Sequence, residues 1–331
     1  MFSRPLPLLL AGCLGCAHAP LLPPSHPPVM TERVRPSPAH GRRPFPFPLR
    51  DGRTGQPLPE ASLHTRLLAA RVIYAGERHT DAASHDVQLA MLGRLYALDH
   101  SLAVGVEMLP RSAQPHLDDY IAGKIDEETL LEAVRWDDVW GYDFSFYRPI
   151  FGFCRAHKIS IFALNSEQDL VRAVRRLGVE GLPAAQRALL PDGYPWPLPE
   201  PHRQYLREVF AHHPRTTEGP MADQGPRAES AEEGFHRFSE AQLVWDETMA
   251  ESVARILASP SAPRRLLVLA GIGHIGRYAV PQRAARRGAG PSLTVMATDE
   301  PEGPPPEGAS AVDLLVVTAA NVATEPAPSN R

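Results

Sequence analysis

Cysteine is scarce, with three in 331 residues, two of them at positions 13 and 16. That rules out a disulfide framework and leaves Cys154 as a single thiol of the kind that usually sits inert in a core. Long apolar runs are missing too. PLPLLLAG near the N-terminus is too short to cross a bilayer as a helix. No excess of positive charge is present: 34 Lys and Arg stand against 38 Asp and Glu, a net charge of −4, mixed along the chain. This argues against a nucleic-acid-binding surface, which needs a basic stripe. Neither His-Glu-x-x-His nor a nucleophile elbow occurs, which argues against a standard zinc protease or serine hydrolase. CLGCAH is no c-type haem attachment site, because Ala17 stands where the histidine is required. No repeat of solenoid length is found.

What is present begins with Arg4, a short apolar stretch and Leu10-Ala11-Gly12-Cys13. This tetrad resembles the lipobox of bacterial lipoproteins, in which cleavage before the cysteine leaves a thiol that takes a diacylglycerol. The expectation is a signal peptide over 1–13 with lipidation at Cys13, to be kept out of fold reasoning. Residues 14–60 include PLLPPSHPPV and RPSPAHGRRPFPFPLR. Such proline density favours extended, semi-rigid chain, so 14–60 reads as a tether and 61–331 as the folded domain, about 270 residues and enough for one large α/β unit.

In the folded part apolar runs alternate with helical patterns. Strands are expected at Arg71–Gly76, Leu102–Glu107, Ile159–Leu164, Arg265–Gly271, Leu293–Ala297 and Val312–Thr318. The first four are continuously apolar, as when both sheet faces are covered. Helices are expected at Ala83–Asp99, Phe146–His157, Glu167–Leu177, Arg203–His212 and Glu240–Leu257. The order implies an α/β fold, a largely parallel sheet flanked by helices. Residues 191–234, rich in proline and glycine around the short helix, read as a helical insertion and a candidate lid.

Two strand ends carry the same tetrad, Gly76-Glu77-Arg78-His79 and Gly271-Ile272-Gly273-His274, each Gly-x-x-His. Ligands of open parallel sheets bind outside the carboxyl ends of the strands. Collected there are Glu77, Arg78, His79, Glu107, Asn165 and His274. Any one of them could cap a helix; their coincidence at four strand ends points to a polar pocket. Glu77, His79, Glu107 and His274 have the makeup of a hydrolytic site. They could hold a divalent metal that activates water, or one histidine could act as a general base without metal. The aromatic segment WDDVWGYDFSFYRP adds Tyr142, Tyr147 and Arg148, either a packed cluster or part of a ligand slot. His212 and His213 are further ligand candidates.

Together these features resemble the Tiki superfamily, which includes erythromycin esterases, TraB-type proteins and ChaN lipoproteins, with ChaN the nearest of them. The resemblance rests on GERHTDAASHDVQ, VGVEM, the W-x3-W-x6-Y-R-P pattern from Trp136 to Pro149, IFALN, AQLVWDETMA and AGIGHIGRYAVP. It implies a haem-binding lipoprotein of the outer membrane with a role in iron and haem uptake. An outer-membrane haem receptor and a second copy of the chain in a homodimer are the implied partners. Tyr142 or Tyr147 would then supply an axial ligand and Arg148 would meet a propionate. His85 and Gln88 match the family pattern and, with Asn165, would line the same pocket. The alternative remains a hydrolase, a metal-dependent peptidase or an esterase-like enzyme, built on the Glu/His rim. The proline tether and the 191–234 insertion depart from the family pattern.

Overall fold

The computed structural model describes residues 44–212, 230–300 and 312–318, and the folded unit begins at Pro44. Eight strands form one sheet: β1 (Leu49–Asp51), β2 (Pro57–Leu58), β3 (Val72–Glu77), β4 (Leu102–Pro110), β5 (Ile161–Asn165), β6 (Arg265–Gly271), β7 (Ser292–Thr298) and β8 (Leu314–Val317). Their spatial order is β2-β1-β8-β7-β3-β6-β4-β5. From β8 to β5 every pairing is parallel, and β1 joins β8 and β2 antiparallel.

Twelve helices accompany the described strands. α1 (Glu60–Ala69) precedes β3, and α2 (Ala82–Leu98) links β3 to β4. Four more lie between β4 and β5: α3 (Gln114–Ala122), α4 (Glu127–Ala133), α5 (Trp136–Val139) and α6 (Arg148–His157). α7 (Gln168–Leu177), α8 (Ala184–Arg187), α9 (Glu200–His212) and α10 (Ala231–Ala258) follow β5. After β6 come α11 (Ile272–Ile275) and α12 (Val280–Arg286).

The continuous apolar runs become strands because both faces are covered. Every residue of β3, β4 and β6 is buried. Ile73, Ala75, Val104 and Leu267 belong to a core with α2, α3 and α6, whereas Tyr74, Ala103, Leu266 and Val268 belong to a second core against α10 and α12. Local signals start the helices. The Asp81 carboxylate accepts from Ala83 N (3.3 Å) and Ser84 N (3.2 Å) at the head of α2, and Ser230 with Glu233 forms a capping box on α10. The free edge of β5 is covered by one side chain: Gln114 donates to Ile161 O (2.9 Å) and accepts from Ala163 N (2.9 Å), which removes an unpaired edge.

The expected strands and helices match observed elements to within a few residues, except that α10 starts nine residues earlier than expected. Two readings change. Residues 44–60, assigned above to the tether, carry β1 and β2 and the first residue of α1, because Leu49–Asp51 pairs with β8 and extends the sheet. α10 begins at Ala231, so residues 231–234 are helix rather than loop. Within the insertion, Trp196, His202 and Leu206 are buried. Cys13, the 1–13 signal segment and His213 lie outside the described residues.

Candidate functional site

The chain runs outward from β3 to β4 to β5, and β6 then returns between β3 and β4. Register finishes the job: Glu77 pairs with Gly271, and Val106, one residue before Glu107, pairs with Leu269. With neighbouring strands about 4.8 Å apart, the end of β6 stands between the two glutamates. Strand alternation then separates them. Glu77 has the parity of Ile73 and Ala75 and faces the first core; Glu107 has the parity of Ala103 and faces the second. The expected pocket therefore holds two histidine networks, anchored from opposite faces and meeting at Gly271, close enough that the Glu107 and His274 charges both act on His79.

On the first face, Glu77 is buried and its oxygens are taken. The Tyr147 hydroxyl donates to Oε1 at 2.6 Å, His79 Nδ1 donates to the same oxygen at 3.0 Å, and Gln88 Nε2 donates to Oε2 at 2.8 Å. His85 lies behind, with Nδ1 3.1 Å from Gln88 Oε1 and Nε2 3.1 Å from the His79 carbonyl oxygen. His85 and Gln88 thus brace Glu77 and His79 from inside rather than line a pocket. Tyr147 is fully buried and spends its hydroxyl on Glu77, so it is not disposed to be an axial ligand. Burial and the Glu77 charge push its phenol up.

The His79 ring points the other way. It contacts Trp140 edge-on and Tyr142 at a tilt, each at 4.8 Å between centroids. Trp140 in turn donates its indole N–H to the Tyr147 oxygen at 3.0 Å. The His79 side chain keeps 28% of its surface exposed. Neither His79 Nε2 nor the Tyr142 hydroxyl has a hydrogen-bond partner among the described residues. Burial would lower the His79 imidazole, but the Glu77 hydrogen bond and the Glu107 charge outweigh it and raise it. Tyr142 is raised by burial and by the two glutamates.

On the second face, His274 Nδ1 donates to Asp246 Oδ1 at 2.6 Å, and its Nε2 lies 3.3 Å from Glu107 Oε1. Glu107 Oε2 accepts the Gly271 N–H at 2.6 Å. Burial alone would lower His274, but the Glu107 charge and the Asp246 hydrogen bond push it up to about 10. Burial would likewise raise Glu107, yet the His274 charge holds it at about 2. This is an imidazolium locked between two carboxylates. Asp246 Oδ2 faces His202 Nε2 (3.7 Å) and Arg283 Nη1 (3.8 Å), and the neighbouring Glu247 gathers Arg283, Arg286 and Arg287.

Gly271 is where the networks touch. A Cβ there would lie 2.8 Å from His79 Cε1 and 3.6 Å from Glu107 Oε2, so any side chain would displace the imidazole. The remaining expected residues stand apart. Asn165 donates to the Glu107 carbonyl at 3.0 Å and braces the strand ends. Arg148 is exposed and pairs with Glu127 at 2.7 Å. Arg78 is exposed, and His212 donates from Nδ1 to Glu208 O at 2.8 Å on the surface. Among the described residues no three His, Cys, Asp or Glu side chains are grouped to hold a metal ion. The four expected ligands His79, His274, Glu77 and Glu107 fall into two pairs whose carboxylates are already engaged.

Asp246, His202, Arg283 and Trp140 were not named as site residues, although Asp246 and Trp140 stand in the quoted AQLVWDETMA and W-x3-W segments. Asp246 had a signal: an acid on the same helical stripe as Leu243, Ala250 and Val253, all buried, marks a charge the core must pair. His202 had none, because its partners come from α10 and α12.

A family described as haem-binding uptake, Tiki superfamily, ChaN matches residues 63–283. Among solved structures the fold is similar to ChaN of Campylobacter jejuni, whose structure is titled for cofacial haem binding. The TM-score is 0.61 at 20% identity, over 82% of this chain and 96% of that one; at that identity the likeness is one of fold. An erythromycin esterase in its open conformation aligns with a TM-score of 0.44 at 14% identity, over 75% of this chain and 76% of that one. A curated relative, the chloroplastic protein RETICULATA-RELATED 5 of Arabidopsis thaliana, is 24% identical over 224 residues, 63% of this chain and 28% of that protein's length.

Proposed function

Because the chain belongs to the ChaN family of haem-binding uptake proteins in the Tiki superfamily, we propose that it binds haem at the rim formed by His79, Trp140 and Tyr142. One observation carries this reading. Three partly exposed rings lie in mutual contact at the carboxyl edge of the sheet, and a phenol oxygen and an imidazole nitrogen among them have no partner among the described residues. That is the donor set and the apolar surface a porphyrin iron requires. Bound haem would supply an iron, which Tyr142 and His79 would hold. Tyr142 offers the oxygen, and its raised phenol keeps the proton until a cation competes for it. Glu77 fixes the His79 tautomer by holding Nδ1–H, which leaves Nε2 as the acceptor at the rim. Haem titration of the wild type should give a Soret band whose position changes in Tyr142→Phe and stays unchanged in Tyr147→Phe. No band in the wild type would contradict the reading.

The lipobox supports a place at the outer membrane, with Cys13 carrying the lipid and Leu14 lacking the aspartate associated with inner-membrane retention. One acyl chain alone anchors weakly, so a triacylated terminus is implied. Cys13→Ala should release the protein into a soluble fraction or leave its precursor uncut. On the strength of the family, the role we propose is haem or iron uptake, with an outer-membrane haem receptor and a second copy of the chain as partners.

A second reading rests on the same Glu77–His79 pair. A buried carboxylate orienting an imidazole whose other nitrogen is unpartnered is also a general-base arrangement. Turnover on ester or peptide panels that His79→Ala abolishes, with no Soret band, would favour a hydrolase.

A further inference from the structure

We propose that His202 latches helix α9 to the body of the protein and that acid releases the N-terminal half of this helix, uncovering the His274 network. The inference is independent of the haem reading. α9 is held at two places. Its later half is held by Leu206, buried in one cluster with Phe235 and Phe238, and by Arg207, which pairs with Glu232 at 2.9 Å. Its first half is held by His202.

The imidazole of His202 is buried and stacked on Tyr278 at 5.1 Å between centroids. Arg283 Nη2 lies 3.3 Å from His202 Nδ1. A guanidinium only donates, so Nδ1 must accept and the ring proton sits on Nε2, which faces Asp246 Oδ2 at 3.7 Å. A second proton has one place to go, Nδ1. It would replace an accepted hydrogen bond with two N–H groups facing each other, and set a positive ring against Arg283. The groups around the ring offer little relief. Asp246 from α10 attracts, but its other oxygen already holds His274. Arg283 from α12 and His274 from α11 repel, and Tyr205 and Tyr278 are neutral with raised phenols. Burial accordingly pushes His202 down to about 4.

Position gives the latch its consequence. The Tyr205 oxygen would lie 3.0 Å from a Cβ on Gly273, so the first half of α9 lies over α11, the short helix that carries His274. A glycine is needed there for the phenol to come so close. Loosening this half frees the Gly271–Gly276 segment around α11 while the later half stays anchored.

Hydrogen exchange of the full chain from pH 7.5 to 4, corrected for intrinsic rates, tests this. A closed-state imidazole at about 4 against an ordinary value of 6.5 predicts that opening of residues 200–205 and 271–276 grows roughly five- to sevenfold per pH unit below pH 6. The gain should reach roughly a hundredfold at pH 4, with β3 unaffected. His202→Asn keeps an oxygen for Arg283 and takes no proton, so it should stay closed throughout. An acid response equal in His202→Asn and wild type, or none in the wild type, overturns the latch. Should the variant not fold, NMR titration of wild-type His202 decides. Protonation near the ordinary histidine value while residues 200–205 stay protected would overturn it, and an imidazole neutral at pH 5 in the protected state would support it.

Discussion

The two Gly-x-x-His tetrads end neighbouring strands in register, and their histidines nonetheless live in different surroundings. His79 is held by one carboxylate and keeps a nitrogen and part of its ring exposed; His274 is held by two carboxylates, with 11% of its side chain exposed. The difference comes from the face each meets. The first face presents rings from Trp140, Tyr142 and Tyr147, which can cover an imidazole without neutralising it. The second presents α10, whose Asp246 completes an ion triad with Glu107. The same local motif thus yields a presented donor on one side and a structural clamp on the other.

The largest effect that would sharpen this contrast is on stability. Removing one partner of a buried charge network leaves the rest uncompensated, so Glu107→Ala or Asp246→Ala should cost about 3–5 kcal/mol in urea unfolding. His79→Ala should cost about 1 kcal/mol, because Glu77 keeps Tyr147 and Gln88 as donors, while ligand binding is lost. Equal costs on both faces would break the comparison.

Next comes pH. His274 folded lies above its unfolded value, so its contribution is complete below pH 6.5 and is lost as pH rises through about 10. Glu107 folded lies below its own, so the same pair contributes above pH 4.5 and is lost as pH falls through about 2. Stability profiles of wild type and His274→Gln should therefore converge on the alkaline side. Profiles that stay parallel to pH 10 would show that His274 carries no charge in the fold.

Tyr147→Phe removes one donor from Glu77 and should cost about 1–2 kcal/mol, leaving any haem spectrum unmoved. The smallest effect is expected of Arg148→Ala, an exposed residue paired on the surface, with stability within about 0.5 kcal/mol of wild type and ligand affinity unchanged. A large loss of affinity would return Arg148 to the site.

Much of this was legible in the sequence. Buried parallel strands announce themselves as unbroken apolar runs, and glycine followed by acids and histidines marks their ends, so Glu77, His79, Glu107 and His274 could be named in advance. What periodicity could not give was the face. That depends on strand order, with β6 entering between β3 and β4, and on the parity of two glutamates in strands thirty residues apart. The short strand Leu49–Asp51 hid among prolines, because its partner β8 lies at the other end of the chain. Tyr142 and Tyr147 read alike as aromatic residues in one segment; only packing tells the exposed phenol from the one bonded to Glu77.

The most direct test of the account is to follow the two imidazoles separately by NMR, with and without a diamagnetic metalloporphyrin. The account predicts that the His79 resonances titrate above the ordinary histidine value and move when the porphyrin is added, while His274 stays an imidazolium until about pH 10 and does not move. Two histidines that titrate together near 6.5, or a porphyrin that shifts His274 and leaves His79 untouched, would contradict it.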